Sequence, residues 1–516
     1  MQDASGVIDG SASVARLREA LDSGALTSAS LTAFYTERIR RLDPELHTVM
    51  TVSPDAAAEA EASDTARAAG RSRGPLDGIP VLVKDNIGVA GMPTTAGSPA
   101  LLGAESADAF CVTRLREAGA VIIGKANLSE WANFRSTHAT SGWSTLGGQV
   151  ANPRGAGRNP SGSSSGSAAA VAAGLVPLAV GSETDGSIVC PASSCGIVGI
   201  KPTLGLVSRS GIVPVSLAQD TAGPMAGSVA DAAALLSALA AVDAADPTCH
   251  DLDDRNERTV AADYAQFLDA GALTGARLGV WRAGSAAAGG ATLAVLDAAI
   301  ARLRQAGATV LDPVELPGSD KIEEPEFTAL LHEFKRDLNA YLGALAGDHP
   351  ATLADVVAFN QRHASTVLAR FGQEIFERAE AIGDPGGPEL TEARRDATRL
   401  ARAALDQALA GGRLDAIIAL TANPAWLTDY VLGDHSVFNT SAPAAVAGYP
   451  SVTVPAGEVT GLPVGLSFIG PAWSDSRLIA LAHSFELSPP PPPPPGQAPP
   501  PPLSKSMVAA TLTLFG

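Results

Sequence analysis

The stretch P-S-G-S-S-S-G-S-A-A-A-V-A-A-G-L-V-P-L-A-V-G-S-E-T-D-G-S (residues 160–187) decides how the rest of the chain is read. Two loops of small residues bracket one apolar run. The first, Ser161 to Ser167, holds five serines and two glycines, and the second, residues 181–187, is G-S-E-T-D-G-S. Between them the spacing predicts a short buried helix over 168–173 and a short buried strand over 175–180. A helix packed back on that strand brings the two loops together. Serine hydroxyls beside glycines suit catalysis, because glycine lets backbone N–H groups approach a substrate oxygen closely. A Gly/Ser cluster on its own is more often only a turn. Here it opens directly into an apolar element and a second Gly/Ser/Asp loop, which favours a site.

Outward from that centre, short apolar runs alternate with helical patterns. Strands are expected at 79–83, 120–123, 196–202, 277–281, 308–311, 415–420, 451–455 and 465–469, besides 175–180. Helical spacing appears at 13–22, 28–42, 56–69, 109–118, 228–240, 291–306 and 477–485. Residues 208–225 read as a loop-rich segment, and 318–410 as a more charged helical region covering one side of the core. This order places the chain in the α/β class. Pro489 to Pro502 is a different material: eleven of its fourteen residues are proline. The expected organisation is one domain over 1–487 and an extended or unstructured tail over 488–516.

Composition narrows the function classes. Hydrophobic residues make up 46% and charged residues 17%, which is globular. The net charge of −18 argues against a nucleic-acid or anionic-membrane surface, both of which need a basic footprint. Cys111, Cys190, Cys195 and Cys249 have no disulfide-scaffold or metal-ligand spacing and read as small buried residues. The N-terminus carries neither a basic segment nor an apolar run, so a cytoplasmic location is expected. No run of 18 apolar residues predicts a membrane span.

Three motifs compete for the chemistry. G-A-V-I-I-G-K-A (119–126) nearly matches a phosphate loop, but Ala126 replaces the required hydroxyl and V-I-I is a strand. Lys125 is therefore structural. G-S-S-S-G (162–166) matches a nucleophile elbow centred on Ser164, with Asp415 and His435 as the only nominees for acid and base. An elbow follows a buried strand, whereas N-P-R-G-A-G-R-N-P-S precedes this one. The third arrangement uses lysine as the base. A serine hydroxyl is a poor nucleophile until a base takes its proton, and burial lowers a lysine's pKa toward neutral. Six lysines stand against thirty arginines, and one, Lys84, closes the apolar run I-P-V-L-V. Lys84 with Ser163 and Ser187 supplies a base, a relay and a nucleophile. The mixed polar and aromatic stretch N-L-S-E-W-A-N-F-R-S (127–136) is a candidate pocket wall, with Asn133 and Ser136 as substrate-binding candidates.

K-D-N-I (84–87), T-T-A-G-S (94–98), the serine loop, G-S-E-T-D-G-S-I (181–188) and G-I-V-G-I-K-P-T (196–203) together resemble the amidase signature family. Ser187 lies 24 residues after Ser163 and 103 after Lys84, the spacing of that family's Ser–cisSer–Lys triad. The resemblance covers about residues 13–486 and is nearest to the peptide amidase branch. It implies a single α/β/α domain around a large mixed, twisted sheet, with no metal or cofactor. It also implies Ser187 as nucleophile, Ser163 as the bridging serine after a cis peptide bond, and Lys84 as a neutral base. Backbone N–H groups of Thr184, Asp185, Gly186 and Ser187 would form the oxyanion hole. The implied reaction is hydrolysis of a carboxamide on a small-molecule or peptide substrate, most closely the C-terminal amide of a peptide, with no obligate partner subunit. The alternatives are a glutamine-dependent amidotransferase component, another small-amide or aryl-acylamide hydrolase, and a non-enzymatic scaffold displaying the proline tail. The family's G-G-S-S-G-G is S-G-S-S-S-G-S here, so the register at Ser163 rests on spacing, and Ser164 is the alternative.

Overall fold

The computed structural model describes residues 9–250 and 261–489; the proline-rich segment expected to form a tail lies almost wholly outside the described residues. One sheet of eleven strands organises them. In chain order these are β1 (Val49–Val52), β2 (Pro80–Lys84), β3 (Val121–Ala126), β4 (Leu178–Glu183), β5 (Val198–Lys201), β6 (Thr221–Ala226), β7 (Arg277–Val280), β8 (Thr309–Leu311), β9 (Ala416–Leu420), β10 (Ser451–Val459) and β11 (Leu462–Ile469). Their spatial order is β1-β3-β2-β4-β6-β5-β10-β11-β9-β7-β8. The sheet is mixed. β2 runs parallel to both β3 and β4, β7 runs parallel to both β8 and β9, and the strands between are antiparallel.

Both faces are covered, as side-chain alternation shows. Along β9, Ala416, Ile418 and Leu420 join one buried apolar cluster, while Ile417 and Ala419 join another. The first cluster includes Leu478, Leu481 and Phe485 of the helix Asp475–Leu487. The second includes Ala397, Ala401, Ala404 and Leu405 of the helix Pro388–Gly412. Strand runs buried on both faces are continuous apolar sequences, which is why A-I-I-A-L and P-V-L-V were legible as strands.

Nine of the eleven strands fall where the sequence placed them, with ends displaced by up to four residues. β4 begins at Leu178 rather than 175, so Ser182 and Glu183 belong to the strand and Ser187 follows four residues after its end. Two strands were not read. β1 is a short edge strand that is mostly half-buried. β6 lies in the segment read as loop, because T-A-G-P-M-A contains a glycine and a proline. Proline is rare within sheets because it cannot donate to a ladder. Here the ladder between β6 and β5 comprises only Val198–Ala226 and Gly199–Met225, so Pro224 lies past its end. Gly223 is required as well: a Cβ there would come within 2.2 Å of the Ile200 carbonyl oxygen.

The helical region 318–410 is observed as Glu323–Ala344, Leu353–Arg362, Glu374–Glu380 and Pro388–Gly412. The central helix spans Ser165–Ala172 and has buried, small side chains. It packs closely because Gly166 has none: a Cβ would meet the carbonyl oxygens of Asn127 at 2.4 Å and Thr48 at 2.5 Å. Gly166→Ala is therefore expected to destabilise the protein by about 1–3 kcal/mol, since backbone cannot yield as a side-chain tip can. Gly343→Ala, in an exposed helix position with nothing near the added Cβ, should stabilise it by up to ~1 kcal/mol. Denaturant unfolding of both variants checks the opposite signs.

Candidate active site

Lys84 is the last residue of β2, and Ser182 lies near the end of the adjacent β4. The Lys84 ammonium is fully buried there. Its Nζ lies 2.8 Å from Ser163 Oγ, 3.0 Å from Ser182 Oγ and 3.1 Å from the Ser182 carbonyl oxygen. Asn86 Nδ2 donates to Ser182 Oγ at 2.9 Å. Burial strips the ammonium of water and pushes the lysine down to about 7, against the opposing pull of Asp220 and Glu183. A neutral amine has two N–H donors and one lone pair. With three oxygen neighbours, it can donate twice and accept the Ser163 hydroxyl proton.

Lys125, the other lysine beside this strand, is held differently. Its Nζ donates to the Ile87 carbonyl at 2.7 Å and Thr94 Oγ1 at 2.8 Å, and pairs with Asp85 at 3.3 Å. It pins the segment that follows Lys84 and has the structural role expected of it.

The serine loop and the second loop meet. The Ser164 amide donates to the Ser187 carbonyl at 3.1 Å. The peptide bond from Gly162 to Ser163 is cis. Ser164 is engaged elsewhere: its hydroxyl donates to the Ser182 carbonyl at 3.0 Å and accepts from the Ser182 amide at 3.2 Å. Lys84 therefore faces Ser163, and Ser164 clamps β4. The elbow nominees are not assembled with it. Asp415 pairs with Arg477, and His435 bonds Asp429 at the surface.

Ser187 is 9% exposed and lines a cavity of about 290 Å³ with Thr184, Asp185, Gly186, Ser161 and Gly162. Among the described residues no acceptor engages the backbone N–H of Thr184, Asp185, Gly186 or Ser187. The loop's shape depends on Gly186, whose φ is +81°; a Cβ would meet Ser441 Oγ at 2.8 Å and Cys190 Sγ at 2.9 Å. Below it, Glu183 Oε2 accepts from the amides of Ile188 at 2.8 Å and Val189 at 3.1 Å. That carboxylate ties the end of β4 to the start of the helix Val189–Cys195 and spans the loop carrying Ser187.

Asn133 and Ser136 part company. Asn133 lines the cavity. Ser136 does not: its hydroxyl donates to Glu374 Oε1 at 2.7 Å and joins the loop to the helical cover. Its neighbours have an unusual backbone. Trp131, Ala132 and Asn133 have φ of 52°, 53° and 68°, three successive left-handed residues with no glycine. Such conformations cost about 1–2 kcal/mol per residue, so surrounding packing must hold them. No residue type in E-W-A-N announces this turn. The opposite wall was also unread. Trp426, Asp434, Ser436 and Asn439 come from an irregular segment. Asp434 is anchored by the Ser141 amide at 2.9 Å and the Ser141 hydroxyl at 2.5 Å. The cavity contains Asp185 and Asp434 but no Lys, Arg or His. Cys190 also lines it, with burial pushing its thiol well above the ordinary range. No helix among the described residues is long and apolar enough to cross a membrane, and no cluster of three or more potential metal ligands occurs among them.

The profile of the family described as Amidase matches residues 30–479. The native peptide amidase from Stenotrophomonas maltophilia is 48% identical, with a TM-score of 0.86 over 92% of this chain and 96% of that one. A probable amidase of Arabidopsis thaliana is 41% identical over 92% of this chain and 89% of its own length. A glutamyl-tRNA(Gln) amidotransferase subunit of Symbiobacterium thermophilum is 36% identical over 92% of this chain and 96% of its own. Matched over most of its length and in the architecture of its sheet, the chain belongs to the amidase signature family.

Proposed function

We propose that the protein hydrolyses carboxamides through a serine acyl-enzyme and that its substrate is the C-terminal amide of a peptide. The observation that carries this reading is the contact of the fully buried Lys84 amine with Ser163, beside a loop whose residues 184–187 line one cavity and whose backbone N–H groups have no acceptor among the described residues. Ser187 Oγ attacks the amide carbon while its proton passes to Ser163 and the Ser163 proton passes to Lys84. The carbonyl oxygen becomes an oxyanion held by the loop N–H groups. The C–N bond then breaks, the relay returns a proton to the leaving nitrogen, and ammonia departs. Water attacks the ester, loses its proton through the same relay, and releases the carboxylic acid with Ser187 restored.

The cavity's charge supports an uncharged end group. A free carboxylate beside the scissile amide would meet Asp185 and Asp434 with no cation to offset them. Glutamine's free carboxylate, on Cα two methylenes from its side-chain amide, would enter the same cavity, and like-charge juxtaposition costs several kcal/mol. This favours peptide amides over free glutamine, and action as a single chain over the amidotransferase role. The 48% identity to a peptide amidase points the same way.

Ammonia release from a short peptide amide by the purified chain tests the proposal. Ser187→Ala should abolish turnover, and Ser163→Ala and Lys84→Ala should each lower it by at least about 10²-fold. Equal activity of Ser187→Ala and wild type would sink the mechanism. Lys84 works as the neutral amine, which forms as pH rises through about 7. The kcat/KM profile should therefore climb with pH through about 7 and fall on the acid side. A profile flat from pH 5 to 8 contradicts this. Glutamine should be turned over at least about 100-fold more slowly than a peptide amide, read by the same ammonia assay.

A further inference from the structure

Gln219 is buried, lies outside the cavity lining and makes no hydrogen bond to the three residues of the proposed relay, yet its amide is bonded to the loop that would stabilise the transition state. Its Nε2 donates to the Thr184 carbonyl at 2.9 Å and to Glu326 Oε1 at 2.6 Å. Its Oε1 accepts from Arg394 at 2.8 Å. Arg394 is itself fixed by two bonds to Glu333, at 2.8 Å and 2.5 Å. These partners settle which way the amide points. Turned over, Oε1 would face two acceptors and Nε2 would face a guanidinium.

Thr184 is held a second time. Its hydroxyl donates to Asp220 Oδ1 at 2.5 Å, and Asp220 Oδ2 accepts from the amides of Val215 and Ser216. Residues 219 and 220 therefore grip both the carbonyl and the side chain of the first loop residue. A trans peptide unit is rigid, with C=O and the following N–H pointing in opposite directions. A donor fixed on the Thr184 carbonyl thus fixes the direction of the Asp185 N–H, one of the four amides without an acceptor.

We infer that Gln219 is a positioning residue for the hydrolysis proposed above: oriented by Arg394 and Glu326, it locks the Thr184–Asp185 peptide plane so that the Asp185 N–H meets the developing oxyanion. The proposal rests on the acyl-transfer reading of Ser187. It also gives the helical cover a part in the chemistry, because Glu326 and Glu333 lie on the helix Glu323–Ala344 and Arg394 on Pro388–Gly412. Binding of the ground-state amide depends little on this plane, whereas the oxyanion depends on it directly. The cost should therefore fall on kcat.

The test compares wild type with Gln219→Met, which keeps the side chain's length but loses its donor. Kinetics are measured on whichever carboxamide wild type turns over, together with inhibition by a peptide aldehyde that adds to the serine. The expected result is a kcat lowered by about 10–100-fold and KM within about 3-fold of wild type. Aldehyde affinity should weaken in step with kcat, and the variant should stay folded at the assay temperature, with a melting temperature lowered by its unpaired buried partners. Gln219→Glu, lacking a donor at neutral pH, should fail to rescue. If Gln219→Met does not fold, Arg394→Lys is read in the same way, since it disturbs only the orienting partner. Unchanged kcat and aldehyde affinity in a folded variant overturns the proposal, as does a loss confined to KM. A wild type that turns over no carboxamide refutes the hydrolase reading and, with it, this one. An active wild type with an equally active variant refutes this one alone.

Discussion

The site depends on keeping one amine away from water at the end of a parallel strand pair. Desolvation is the force that makes Lys84 a base, and it acts only while the amine is sealed. The seal is made by the sheet. β2 lies between β3 and β4, so Lys84 emerges flanked on both sides by backbone. Its three oxygen neighbours come from β4 and the serine loop. Ser164 and Glu183 then hold those two elements in place by bonds to backbone. Carboxylates close to the lysine work against it: Asp220 and Glu183 favour the ammonium form. Burial outweighs them, which leaves a base that titrates near neutrality rather than one locked in either state.

Around that centre, support is arranged by distance from the reacting atoms. The loop of Ser187 is shaped by Gly186 and tied down by Glu183. Behind it, residues 215–220 hold Thr184. Behind those, the helices of the 323–412 region hold residues 215–220 through Glu326, Glu333, Asp337 and Arg394. Asp220 is satisfied there by two backbone amides and a hydroxyl, whereas Glu333 and Asp337 add an arginine partner each, Arg394 and Arg336.

How much of this was legible depended on whether the signal was local. Lys84 stood out because a lysine closing I-P-V-L-V has no water to reach. The serine loops stood out because small residues framed one apolar run. Strands buried on both faces announced themselves by composition. β6 did not, because Gly223 is needed for a close approach and Pro224 sits past the end of a ladder, two facts belonging to neighbouring strands. Ser136 looked like a pocket residue because it lies in the same stretch as Asn133, but the turn at 131–133 sends the two to different partners. The Trp426–Asn439 wall had no motif at all. It reaches the site only because β9 delivers the chain there, so its contribution is a property of topology.

The claim at the centre is that Ser187 carries the acyl group. Acid-quenching the enzyme during turnover of a slow peptide amide or ester, followed by peptide mapping in the mass spectrometer, tests it directly. The account predicts a mass increase equal to the acyl group on the peptide containing Ser187, absent from Ser187→Ala. An acyl group found on Ser163 or Ser164, or turnover with no covalent species under conditions that slow deacylation, would contradict it.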